Sequence, residues 1–150
     1  MKLIILLVGA ILGGVLNRMG GTSLGTKWRD LGVSALSCLV LVLTGVVHTP
    51  IQYLSLLPCA LLMYGALTTY RYFLPKPKDY KFYHYSLHGF MVSFAIFPLM
   101  FFTGSWLWFG VRCITCATLV GLVSHLIDKD WLEEFLRGFI LVASLGLFLI

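Results

Sequence analysis

Arg112 lies inside the apolar run 106–127, beside Cys113 and Cys116. A guanidinium carries five N–H donors and keeps its charge in any protein environment. In a lipid setting that charge costs at least ~2.5 kcal/mol if it is central, and less if the side chain snorkels outward. Arg112 therefore needs a counterpart. The candidates are backbone carbonyls, a lipid phosphate, water in a cavity or a transported anion. The plainest expectation is a snorkelling arginine on outer-leaflet headgroups, and the sharper one is a cavity site. A second polar set, Asn17, Arg18, Arg29, Asp30, Arg71, His88, His125, Asp128, Glu133, Glu134 and Arg137, falls at the ends of apolar runs. Glu133 and Arg137 are spaced i,i+4 in the favourable order, acid before base. Glu134 points ~100° away from Glu133 on a helix. A charge network fastening one end of a bundle is the simpler expectation, and an ion or substrate vestibule the alternative.

Other constellations are weaker. His84-x-x-x-His88 has ligand spacing on a helix and, with His125 or a carboxylate, could take zinc or iron. It lacks the Glu of H-E-x-x-H, so no metal is expected. Cys113-x-x-Cys116 falls in mid-run, where a free cysteine is ordinarily soft apolar packing. Gly20-Gly21-x-x-x-Gly25 lacks the Lys-Ser/Thr of a phosphate loop, and no G-x-S-x-G occurs. No catalytic residue and no cofactor is assigned.

The elements that must hold these residues follow from hydropathy. Of the 150 residues 59% are hydrophobic and 11% charged, with mean hydropathy +0.94. Soluble domains are about 25% charged, and so few charges could not cover a water-facing surface. A single domain is expected, all-α: a polytopic transmembrane bundle of about six short helices. The runs are 3–16, 31–47, 51–73, 87–103, 106–127 and 131–150. A span needs ~20 apolar residues, so the four central runs carry the count. The first run is only ~24 Å long counted from Met1. The last reaches full length by including Glu133, Glu134 and Arg137. The N-terminus resembles a signal peptide in part and is read as a retained helix, because the rest of the chain is equally apolar.

The net charge of +5 is distributed unevenly. Connections one, three and five hold Arg18, Lys27, Arg29, Arg71, Lys76, Lys78, Lys81, Lys129 and Arg137, whereas the turns at His48-Thr49-Pro50 and Thr103-Gly104-Ser105 hold no Lys or Arg. The positive-inside rule then places the basic connections in the cytoplasm and both termini outside. Trp106 and Trp108 would belong to the outer interfacial belt. All carboxylates fall at the cytoplasmic end, which leaves Arg112 without an anionic partner in the chain. The lipid bilayer is the expected partner. Long basic runs are absent, so nucleic acid is not. All four cysteines fall in apolar runs, against a disulfide framework in loops.

Gly9 and Gly13 form a G-x-x-x-G pair with Gly14 adjacent. This predicts close helix packing within the bundle or a homo-oligomer contact. Pro58 and Pro98 each remove a backbone donor and predict kinks. Residues 31–45 and 90–104 align without gaps, sharing Val-Ser near the start and Thr-Gly at the end. Four identities in apolar sequence are what composition alone produces.

Three stretches resemble small polytopic membrane proteins of tailed bacteriophages and prophages: Leu16-Asn17-Arg18-Met19-Gly20-Gly21, the region from Tyr70-Arg71 to His88-Gly89-Phe90, and Glu133-Glu134-Phe135-Leu136-Arg137-Gly138. The resemblance implies a phage or bacterial inner-membrane setting and supplies no activity. The expected function is a non-enzymatic membrane component. A small transporter or channel using Arg112 and the Glu133/Glu134/Arg137 end is the first alternative. A membrane enzyme using His84, His88 and His125 is the second.

Overall fold

A computed structural model describes residues 1–19, 26–73, 82–104, 106–127 and 130–149, with backbone only at 26, 27, 70–73, 82, 83 and 130. The glycines Gly20, Gly21 and Gly25, the loop charges Lys76, Lys78, Asp79, Lys81, Asp128 and Lys129, and the side chains of Lys27, Arg71 and Tyr83 lie outside the described residues. Among the described residues seven α-helices follow in order: α1 Lys2–Met19, α2 Thr26–Leu43, α3 Pro50–Phe73, α4 Phe82–Phe94, α5 Phe97–Thr103, α6 Trp106–Leu126 and α7 Asp130–Ala143. A 3₁₀ segment, Ser144–Leu149, continues α7. Among the described residues there are no strands.

Helices α1, α3 and α6 are long and apolar enough to cross a membrane, and the bent pair α4–α5 makes a fourth span if it counts as one. The first run, expected to fall short, qualifies because the helix continues through Asn17, Arg18 and Met19. Helix α2 does not qualify, having Lys27, Arg29 and Asp30 near its start. Helix α7 has only 14 residues before it tightens. The single helix expected over 87–103 is two helices bent by 43°. The break falls at Ala95–Ile96, just before Pro98 at the second position of α5. Proline cannot donate and its ring crowds the preceding turn. At Pro58, in contrast, α3 runs on as one helix.

The core is apolar, with Leu41, Met63, Leu99, Met100 and Val120 fully buried, but the surface is not that of a water-soluble bundle. Large apolar side chains such as Leu3, Leu54, Leu107 and Ile114 are exposed, whereas Asn17, Asp30, Ser34, Ser37, Gln52, Ser93 and Arg112 are buried. Several buried hydroxyls satisfy themselves locally. Ser34, Ser37, Thr44 and Ser93 each donate to the carbonyl four residues back, at 2.6–2.9 Å.

The closest helix pairings are α1 with α7 and α4 with α6. Helices α1 and α7 run antiparallel in a regular register: Gly9 meets Val142, Gly13 meets Gly138, and Asn17 meets Glu134. Each step of four up α1 is matched by four down α7, so one face of each helix stays in contact throughout. A methyl group on Gly138 would lie 2.5 Å from the Gly13 carbonyl oxygen, so the two backbones touch. Gly9, Gly13 and Gly14 are buried in this contact, which is the close packing their spacing predicts. Gly89 does the same for α4 against α6, where a Cβ would meet the Cys116 carbonyl oxygen at 2.7 Å.

Two uncharged turns close the other end. Thr49 and Gln52 form a reciprocal capping box at the start of α3. The Gln52 amide donates to Thr49 Oγ1 (3.4 Å), and Gln52 Oε1 accepts from the Thr49 amide (3.1 Å) and the His48 amide (2.9 Å). Pro50 takes the first helical position, where its missing donor costs nothing. Gln52 Nε2 then reaches the Phe102 carbonyl at 3.0 Å, tying this turn to the end of α5. The two Thr-Gly pairs of the sequence alignment play the same part: Gly45 (φ +82°) follows α2 and Gly104 (φ +71°) caps α5. The left-handed residue after a helix is normally glycine because it has no Cβ penalty.

Candidate functional site

Arg112 is completely buried on α6, four residues, or ~6 Å of helical rise, before the middle of that helix. Its snorkelling is overturned. Nη1 donates to the Ser93 carbonyl at 2.8 Å, Nη2 to the Leu141 carbonyl at 3.1 Å, and Nε to Ser144 Oγ at 3.0 Å. Ser144 Oγ in turn donates to the Leu141 carbonyl at 3.0 Å.

The choice of partners has a physical cause. Ser93 is the penultimate residue of α4, and Leu141 lies two residues before the end of α7. The last four carbonyls of any helix lack intrahelical donors. Each helix C-terminus also carries roughly half a negative charge. Two such ends converge on one guanidinium, so the cation is balanced by backbone rather than by a carboxylate. The break before Pro98 and the tightening at Ser144 are what bring those ends to mid-bundle. Of the expected partners, it is the carbonyls that Arg112 contacts. Ser93 and Ser144 were not among the candidate residues. The signal for Ser93 was Pro98, five positions on; nothing local marks Ser144.

The second set gathers at the opposite end from the Thr49 turn. Glu133 accepts from Ser124 Oγ at 2.8 Å and pairs with Arg137 at 3.4 Å, the i,i+4 contact that the spacing predicts. The Arg137 guanidinium also lies 5.8 Å from the centre of the Tyr85 ring. Asn17 Nδ2 donates to the Glu134 carbonyl at 2.6 Å, joining α1 to the first turns of α7. Arg18 stacks over Trp131 at 5.3 Å. Asp30 is buried at the start of α2, 3.4 Å from Arg29 Nε and 3.5 Å from Thr68 Oγ1 of α3.

The structure does not bring the two sets together. Ser124 is twelve residues beyond Arg112 on α6, ~18 Å along the axis, so Arg112 is no part of the Glu133/Arg137 network. His84 and His88 are buried on α4, whereas His125 is exposed near the end of α6. Among the described residues no three His, Cys, Asp or Glu side chains are grouped to hold a metal ion, so the triad His84, His88 and His125 does not assemble. Cys113 and Cys116 are buried free thiols beside Arg112.

Chemically, the Arg112 centre can hold three helices in register. The Glu133–Arg137 centre can fasten α6 and α7 at one face and present mixed charge there. No family model, curated protein or solved structure matches the chain.

Proposed function

We propose that the chain is a non-enzymatic, helix-bundle component of a bacterial or bacteriophage inner membrane, with both termini periplasmic and its charged end facing the cytoplasm. The observation that carries this reading is the state of Arg112. Its three nitrogens are engaged by helix-terminal carbonyls and one hydroxyl, and the residue has no exposed surface. A guanidinium so committed serves architecture and has no open side for a substrate. The many large apolar side chains exposed around the bundle, with Asn17, Asp30 and Arg112 buried, support a lipid surround. The resemblance of the Asn17-Arg18, His88-Gly89 and Glu133-to-Gly138 stretches to phage membrane proteins supports the setting. The test is fractionation of an expressing bacterium. The chain should stay with the inner membrane after alkaline carbonate washing, and release by carbonate would overturn the reading.

A small transporter is the second reading, favoured by one observation. The α4–α5 span is broken in mid-bundle, and discontinuous helices build many transporter sites. In that case the working groups are at the buried Asp30, His84 and His88 end, with Arg112 supporting the break. Proteoliposomes loaded with a pH-sensitive dye and given proton, sodium and chloride gradients decide between the two. Fluxes equal to those of empty liposomes support the structural role.

A further inference from the structure

We infer that the groove between α1, α6 and the α7–3₁₀ junction holds one acyl chain of an anionic phospholipid, with its phosphate on Lys2. The inference rests on the membrane reading above. The groove has a volume of about 670 Å³ and is walled by Leu6, Leu119, Phe139, Ala143 and Leu149, with Lys2 at its rim.

Two observations select this occupant. The first is depth. The wall from Phe139 to Leu149 combines the last helical residues of α7 with the 3₁₀ segment. At 1.5 Å and 2.0 Å of rise per residue it is ~19 Å long. One leaflet of the hydrocarbon core is ~15 Å deep, half of ~30 Å. A single lipid tail therefore fits from rim to floor, and a spanning helix of a partner would overrun it.

The second is charge. Lys2 is exposed and lies beside Gly45, at the end of the bundle away from Asn17 and Glu134. The described carboxylates Asp30, Glu133 and Glu134 belong to the opposite end. An ammonium group at headgroup depth, with no described acid near it and an apolar slot below, complements a phosphate joined to an acyl chain. A headgroup with net negative charge gains more from it than a zwitterionic one.

The test is native mass spectrometry of the full chain released from detergent micelles, with dioleoylphosphatidylglycerol or dioleoylphosphatidylcholine added. One phosphatidylglycerol per chain should survive activation that strips phosphatidylcholine. Lys2→Gln should reduce that preference about fivefold, the effect of one basic side chain near an anionic lipid surface. Ala143→Phe, which fills the slot, should abolish retention of either lipid. Leu119→Trp, at a more exposed wall position, does the same if Ala143→Phe fails to fold. Equal retention of the two lipids by the unaltered chain, or tight retention by the slot-filling variants, would overturn the inference. A chain that resists carbonate extraction yet shows no lipid preference refutes the lipid site alone, whereas one that carbonate releases refutes the membrane reading beneath it.

Discussion

The Arg112 guanidinium donates to the backbone carbonyl of Ser93 across 2.8 Å, from α6 to the last turn of α4. A buried cation and a helix end thus solve each other's problem. The carbonyl lacks a donor because α4 stops there, and the cation lacks an anion because no described carboxylate is close. At Leu141 on α7 the guanidinium shares the carbonyl with Ser144 Oγ.

Arg112→Ala removes all three donors, leaving the Ser93 carbonyl unmatched and the Leu141 carbonyl with Ser144 Oγ alone. Hydrogen bonds to charged groups contribute about 1.5–3 kcal/mol each, so the variant should lose at least ~3 kcal/mol and unfold at far lower temperature in detergent. Arg112→Lys should recover little, since an ammonium is a compact point charge that cannot reproduce the planar fork. Ser144→Ala removes the acceptor of one of these charged bonds and should cost about 1.5–3 kcal/mol, less than Arg112→Ala. Thermal unfolding in one detergent ranks the three, and a Lys variant as stable as the parent would remove the fork argument.

The α1–α7 contact predicts a contrast between glycines. Gly138→Ala places a methyl group 2.5 Å from the Gly13 carbonyl oxygen, a backbone atom that cannot swing aside. It should destabilise by about 1–3 kcal/mol, as overpacking does. Gly65→Ala, inside α3, meets nothing within 4 Å and should be neutral to stabilising by up to about 1 kcal/mol, alanine being the better helix former. Comparing their midpoints of denaturation in a graded SDS titration checks both at once.

Gln52 closes the Thr49 cap and also holds the Phe102 carbonyl. Gln52→Leu should cost about 1–2 kcal/mol, from the lost cap and the unpaired amides together. Thr49→Ala, which loses only the accepting hydroxyl, should cost less. Hydrogen exchange at the first turn of α3 should speed up in both variants; unchanged exchange in Gln52→Leu would show that the cap does not depend on Gln52.

Orientation is tested by cysteine labelling in a background with Cys38, Cys59, Cys113 and Cys116 replaced. A cysteine at Thr49 should react with an impermeant maleimide from the periplasm, and one at Lys78 only after lysis. The reverse pattern would turn the charged end of the bundle outward.

Much of the architecture is legible in local chemistry. Apolar run length identifies α3 and α6, and the i,i+4 spacing of Glu133 and Arg137 becomes an ion pair. G-x-x-x-G marks the close face of α1. These features are readable because each depends on residues within a turn or two of one another.

What the tertiary structure alone decided is the partner of each buried polar group. Sequence shows that Arg112 is stranded among apolar residues; it does not show that α4 and α7 both end beside it, 19 and 29 residues away along the chain. It shows Gly9 and Gly13, and leaves open whether they face α7 or another copy. It shows three histidines at suggestive spacing, and the bundle buries two of them and exposes the third. Hydropathy and spacing report the tendencies of a helix by itself. The pairing of helix ends with a distant cation depends on crossing angles and on where neighbouring helices break, so it exists only once the helices have packed.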